Sequence, residues 1–139
     1  MNDTAQPRVA LVAITKHSAE QVAKLAPRLP QAAVIVAEKF AAQLAGVPNT
    51  VTPYTGAMSA QIADLFAAYD QIVFFVSLGA VVRLIAPHLK SKDEDPGVLV
   101  VDDAAHFVIP VLSGHVGGAN ANAEQLATLL GATAEKSPL

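Results

Sequence analysis

A glycine-rich segment late in the chain holds three side chains that could take part in hydrogen bonding or proton transfer. It supplies a hydroxyl, an imidazole and a carboxamide, from Ser113, His115 and Asn120. Three glycines lie between them: Gly114, Gly117 and Gly118. Because an imidazole changes charge near neutral pH, we predict that His115 is an acid–base group and that Ser113 is the second catalytic candidate. The alternative is a turn histidine that bonds a nearby carbonyl.

The elements around this segment place it where α/β proteins commonly bind ligands. An extended apolar run, residues 107–111, precedes it, and a helical pattern over residues 121–130 follows it. The first N–H groups of a helix have no partner within the helix and suit a carboxylate or phosphate. Glycines also let the backbone approach a ligand closely. The sequence therefore predicts an anion-binding turn between a strand and a helix.

A second turn of the same kind follows residues 71–77, the strongest strand pattern in the chain. Gly79 lies in this turn, and Arg83 lies in the helix predicted over residues 81–89. If the two strands are parallel neighbours, both turns lie at one edge of the sheet and form one shelf for an anion. Arg83 could then donate to a carboxylate. The alternative is that Gly79 only allows a tight turn and that Arg83 is a surface charge.

Several common sites do not fit these residues. The surroundings of Ser113 differ from the Gly-x-Ser-x-Gly elbow, and the glycine spacing differs from dinucleotide and P-loop patterns. Asp102, Asp103 and His106 could resemble metal ligands, but such residues in a turn more often bond the backbone. We therefore predict no metal site, and no cofactor is expected.

The remaining patterns predict a three-layer α/β/α fold with a mostly parallel sheet and a C-terminal β-hairpin followed by a helix. We expect a single α/β domain over residues 1–139, with Ser18 as the N-cap of the first helix and Gly131 as the C-cap of the last. Residues 132–139 are expected to add no core element. Further strands are predicted at residues 9–14, 33–37, 50–52 and 98–101, and helices at 18–27, 38–45 and 62–69. The strand at residues 98–101 is expected to form the hairpin with the extended run before the glycine-rich segment, which returns over residues 106–109.

Composition narrows the function classes. Hydrophobic residues make up 53% of the 139 residues, charged residues make up 15%, and the net charge is −3. Scattered basic residues argue against nucleic-acid binding, and the absence of cysteine excludes disulfides. The longest apolar run, residues 72–82, is shorter than the roughly 20 residues that a membrane span needs. We expect a cytoplasmic protein that does not bind membranes.

The motif Ser-Gly-His-Val-Gly-Gly-Ala-Asn at residues 113–120 resembles the N-terminal part of the cobalt-precorrin-5A hydrolases. It follows Leu-Gly-Ala-Val-Val-Arg-Leu-Ile-Ala-Pro at residues 78–87, then Lys92, Asp95-Pro96 and Val-Val-Asp at residues 100–102. The resemblance covers residues 69–130. It implies cobalamin biosynthesis, with a cobalt-bearing tetrapyrrole as substrate, whose lactone is opened with release of acetaldehyde. Cobalt enters only as part of the substrate.

The roles of the candidates in such a reaction are a hypothesis built on this resemblance. His115 would be the general base or a proton shuttle, and the N–H groups of Gly117 and Gly118 would stabilise negative charge. Ser113 and Asn120 would orient substrate or water. Two further contacts to the substrate are expected, from Gly114 within the motif and from the Gly79 turn with Arg83.

Other readings stay open. The chain could be a non-catalytic corrinoid-binding module, or a phosphate- or nucleotide-binding domain. Family members continue beyond this point, so a C-terminal domain or a separate subunit could complete the enzyme. An unpaired edge strand of the sheet would favour a homodimer. The predicted hairpin turn, Asp103-Ala104-Ala105, also lacks the glycine expected there.

Overall fold

A computed structural model describes residues 7–114 and 118–135. These residues form one seven-stranded sheet and four α-helices. The strands are β1 (Val9–Ala13), β2 (Ala33–Ala37), β3 (Val51–Tyr54), β4 (Gln71–Phe74), β5 (Gly97–Val101), β6 (Phe107–Ser113) and β7 (Thr133–Ala134). The helices are α1 (Lys16–Leu25), α2 (Ile62–Ala68), α3 (Leu78–Ile85) and α4 (Ala119–Leu130).

The sheet has the strand order β3-β2-β1-β4-β5-β6-β7. Strands β1 to β5 are parallel to one another, whereas β6 pairs with β5 in the antiparallel direction and β7 is parallel to β6. The predicted mostly parallel sheet and the β5–β6 hairpin followed by α4 are therefore confirmed. No helix within the described ranges is long and apolar enough to cross a bilayer.

Two apolar cores cover the two faces of the sheet, which gives the predicted three layers. One face packs against α1 and α4, through residues such as Val22 and Leu126. The other packs against α2 and α3, through residues such as Ile62 and Val81. Strand β1 contributes alternate side chains to the two cores, because successive residues of a strand point to opposite faces.

The first helix begins earlier than predicted. Its N-cap is Thr15, whose hydroxyl accepts from the N–H of Ser18 at 3.0 Å. The hydroxyl of Ser18 accepts in return from the N–H of Thr15 at 2.8 Å. Ser18 is therefore the third helical residue of a capping box and not the N-cap. The prediction was wrong because both residues suit a cap, and the reciprocal bond decides between them.

Other boundaries also differ from the predictions. Strand β4 ends at Phe74, and α3 begins at Leu78 with Ser77 as its N-cap. Residues Glu38–Leu44 form a 3₁₀-helix. The expectation that residues 132–139 add no core element was wrong, because the two-residue strand β7 pairs with β6, a long-range contact without a local pattern. The C-cap at Gly131 is confirmed, with a left-handed φ of 68°.

The β5–β6 hairpin makes its turn without a glycine. Ala105 has a φ of 55°, a left-handed conformation that L-residues seldom adopt. The turn is closed by Asp102, whose carboxylate accepts from the N–H of Phe107 at 2.7 Å and whose carbonyl accepts from the N–H of Ala105 at 2.9 Å. These bonds hold a conformation that the sequence alone would assign to glycine.

Candidate functional site

The two glycine turns lie at opposite ends of the parallel strands. The turn with Gly79 follows the carboxyl end of β4, whereas Ser113 ends β6, which runs the other way. Ser113 pairs with Gly97, the first residue of β5. The prediction of one shared shelf was wrong, because it required β4 and β6 to be parallel neighbours. In the structure β5 lies between them, and β6 runs in the opposite direction.

Gly79 and Arg83 do lie together, at the carboxyl edge. Gly79 is exposed in the first turn of α3, and Arg83 is exposed in its last turn. The guanidinium folds back along the helix, so that its Nη1 lies 3.5 Å from where a Cβ on Gly79 would stand. The structure thus pairs these two candidates with each other and separates them from Ser113.

Gly114 packs its backbone directly on the backbone of Gly97. Its φ is 84°, and a Cβ added there would stand 2.7 Å from the nitrogen of Gly97. That distance is shorter than any real Cβ contact, and the opposing atom belongs to the backbone. A glycine is therefore required at position 114 for two separate reasons, conformation and space.

Gln71, the first residue of β4, is the polar neighbour of the turn between β6 and α4. Its side chain is 3% exposed, and its Oε1 accepts from the amide of Asn122 at 2.6 Å. A Cβ added to Gly118 would stand 2.5 Å from its Nε2. Gln71 therefore connects the start of β4 with the first turns of α4 and limits the space beneath Gly118.

Sequence reasoning missed Gln71 and Asn122. The available signal was a glutamine at the first position of an otherwise apolar strand, where a buried amide needs a partner. Asn122 lies in the predicted α4, but nothing in the local pattern connects it with a residue 51 positions earlier.

The remaining motif residues lie at the start of α4. Gly118 is the N-cap of this helix and has no side chain to cap it, and Asn120 is exposed in the first turn. Ser113 is half-buried. His115 and Gly117 lie outside the described residues. The structure therefore brings Ser113, Gly114 and Gly118 to one edge of the sheet, with Asn120 in the adjoining turn.

A cleft of about 370 Å³ opens beside the start of this turn. We call it the Lys90 cleft. Its walls come from the loop between α3 and β5 and from the end of β6, including Leu89, Lys90, Lys92, Leu112, Ser113 and Gly114.

Together, the fold and this turn define a doubly wound α/β domain with a glycine-rich strand-to-helix turn beside an antiparallel strand. The sequence pattern of the family described as "Cobalamin synthesis G N-terminal" matches residues 60–135. The chain belongs to this family, and the predicted resemblance is confirmed.

Two curated proteins, both named cobalt-precorrin-5A hydrolase, are similar to this chain. The chain is 42% identical over 121 residues to a cobalt-precorrin-5A hydrolase of Priestia megaterium, covering 87% of this chain and 32% of that protein. It is 33% identical over 132 residues to the cobalt-precorrin-5A hydrolase of Salmonella typhimurium, covering 95% and 36%. The chain thus spans about a third of the length of these relatives.

The fold is also similar to a solved structure. A crystal structure of a cobalamin biosynthesis protein G homologue from Sulfolobus solfataricus superposes with a TM-score of 0.65 at 26% identity. The match covers 93% of this chain and 36% of that one. The described fold therefore corresponds to about a third of that solved chain.

Proposed function

We propose that this chain supplies part of the site that opens the lactone of cobalt-precorrin-5A in cobalamin biosynthesis. The observation that carries the proposal is the turn between β6 and α4. There, Gly114 and Gly118 are held against Gly97 and Gln71, within the residues that match the family. The names of the curated relatives support the choice of substrate.

The proposed chemistry is ester hydrolysis followed by loss of a two-carbon unit. His115 takes a proton from water as its oxygen attacks the acyl carbon of the lactone. The N–H groups of Gly117 and Gly118 stabilise the resulting oxyanion. The ester C–O bond then breaks, and the imidazolium returns its proton to the departing oxygen. The two carbons leave as acetaldehyde when their bond to the ring breaks and the ring carbon gains the hydroxyl proton.

The other candidates have supporting roles in this proposal. Ser113 and Asn120 orient the substrate or the attacking water, and Gly114 allows the backbone to come close to the ligand. Gly79 and Arg83 remain proposed carboxylate contacts. Gly79 and Arg83 lie at the opposite end of the strands from Ser113. A carboxylate that they bind is therefore a different group from one bound at the turn between β6 and α4.

Further components are proposed from the share of the relatives that this chain covers. The remainder of the site would come from a C-terminal domain or a separate subunit. We propose a single-domain unit that acts in the cytoplasm and needs no cofactor of its own, since the only metal in the reaction is the cobalt of the substrate. A homodimer through an open sheet edge remains a proposal as well.

The direct test measures acetaldehyde released from cobalt-precorrin-5A by the protein at its natural full length. Replacing His115 by alanine should lower kcat by about 100-fold or more, because general-base catalysis contributes at least that factor. His106→Ala is the matched control, since this exposed histidine lies in the hairpin turn. It should leave kcat unchanged.

Two outcomes would contradict the proposal. Turnover that survives His115→Ala would remove the imidazole from the mechanism. A shift in the corrinoid absorption spectrum without any acetaldehyde from the unmodified protein would indicate a binding module and not a hydrolase.

A further inference from the structure

We propose that the Lys90 cleft binds the carboxylate arms of the corrinoid, with Lys90 and Lys92 as the cations. The inference rests on the proposed function and adds the place where the ring is held. The sequence-based prediction gave the carboxylate contact to Arg83, which the fold puts at the other edge of the sheet.

The position of the cleft is the first argument. Ser113 and Gly114 form part of its wall, and the chain continues from them directly into the segment that holds His115. A ligand seated in the cleft would therefore contact the residues that directly precede the proposed catalytic group in the sequence. Arg83 is not part of this wall.

The charge of the cleft is the second argument. Lys90 and Lys92 are exposed, and neither forms an ion pair with any residue that the structure describes. The one carboxylate in the wall belongs to Asp95, which is 8% exposed. Its two oxygens both accept from the backbone N–H of Lys90, at 3.1 and 3.2 Å. Asp95 therefore holds the loop closed, and the lysine ammonium groups stay available for an anion.

The shape and polarity of the cleft are the third argument. Leu89 and Leu112 both line the cleft; Leu89 is 46% exposed, and Leu112 is half-buried. The volume of about 370 Å³ is at the lower end of the range for small-molecule sites. The cleft therefore fits one edge of a macrocycle, with ring carbons against the leucines and acid arms at the lysines. Lysine suits such arms, because its flexible stem adapts a point charge to acids of different length.

The test compares binding of two cobalt corrinoids by the protein at its natural full length. Cobyrinic acid has free carboxylate arms, whereas the arms of cobinamide are amides. The unmodified protein should bind the acid at least about tenfold more tightly, since a charge-assisted hydrogen bond contributes that factor or more. The double variant Lys90→Gln/Lys92→Gln should lose this preference and bind both ligands alike. Lys90→Arg/Lys92→Arg should retain it.

The matched control is Lys16→Gln/Lys24→Gln, which removes the same charge from α1, outside the cleft. It should bind cobyrinic acid as the unmodified protein does. An equal loss in this control would mean unspecific attraction by net charge, and would overturn the inference.

The same experiment separates the inference from the proposed function. If acetaldehyde is released but the glutamine variant at positions 90 and 92 keeps its preference for the acid, only the lysine assignment fails. If the unmodified protein neither binds cobyrinic acid nor releases acetaldehyde, the proposed function fails and the lysine assignment fails with it.

Discussion

Gly114 and Gly118 lack a side chain for different physical reasons. At Gly114 the obstacle is the backbone of Gly97, and the φ of 84° adds strain to any L-residue. At Gly118 the backbone is in the right-handed region, with a φ of −87°, and the obstacle is the amide end of Gln71. Backbone cannot move aside, whereas a side chain can be shortened. The two positions should therefore respond differently to a second substitution.

We predict that Gly118→Ala lowers the free energy of unfolding by about 1 to 3 kcal/mol, the usual cost of overpacking. Combining it with Gln71→Ala should cost less than the sum of the two single changes, because the shorter side chain removes the clash. Gly114→Ala should show no such relief from Gln71→Ala. Urea denaturation of the five variants measures these differences. Additive costs for the pair at positions 71 and 118 would mean that Gln71 does not limit that glycine.

Among the elements, the β5–β6 hairpin determines where the glycine turn lies. By reversing the chain direction, it carries the end of β6 to the edge where the parallel strands begin. Helix α1 supports its turn from the side, since Nε2 of His17 lies 2.7 Å from the carbonyl oxygen of Asp103 and the amide of Gln21 donates to the same oxygen at 3.2 Å. The turn itself contains the left-handed Ala105, so it is a place where the fold can be made more stable.

We predict that Ala105→Gly raises the free energy of unfolding by about 0.5 to 1 kcal/mol. Relief of the left-handed strain exceeds the extra entropy that a glycine gives the unfolded chain. Ala104→Gly is the control, because Ala105 alone among the described non-glycine residues has a positive φ. The control should be destabilised by about 0.4 to 1 kcal/mol. Equal losses in both variants, measured by urea denaturation, would contradict the strain at Ala105.

On the scale of the whole molecule, the two faces of the sheet are closed by apolar cores in which ionisable groups are scarce. Tyr54, at the carboxyl end of β3, is 9% exposed and belongs to the core beneath α2 and α3. Burial raises the pKa of its phenol above the ordinary value. The stability of the whole fold is thereby linked to the ionisation of one side chain.

The raised pKa of Tyr54 predicts the direction of a pH effect. Its stabilising contribution is complete below the unfolded-state pKa of about 10 and is lost as the pH rises toward the higher folded-state value. Tyr54→Phe cannot ionise, so it should lose less stability than the unmodified protein between about pH 8 and about pH 11. Urea denaturation at both pH values tests this. Equal losses in the two proteins would mean that ionisation of the Tyr54 phenol does not contribute to the pH dependence of stability.

Local patterns in the sequence determined most of the strands and helices, the C-cap at Gly131 and the family motif. These features depend on hydrophobic periodicity, capping residues and glycine spacing. Each of these signals lies within a few neighbouring positions of one segment. The motif also identified Ser113, Gly114 and Gly118 as neighbours at one turn.

Only the tertiary structure decided which edge of the sheet each turn occupies and which side chains accompany it. The parallel pairing of β5 with β4, the bond between Gln71 and Asn122, and the position of Lys90 beside Ser113 all join residues far apart in the chain. Such contacts depend on how the strands pair and how the helices pack over them. The hydrophobic pattern of β5 would be the same whether it paired with β4 in the parallel or the antiparallel direction, because side chains alternate between the two faces in either case.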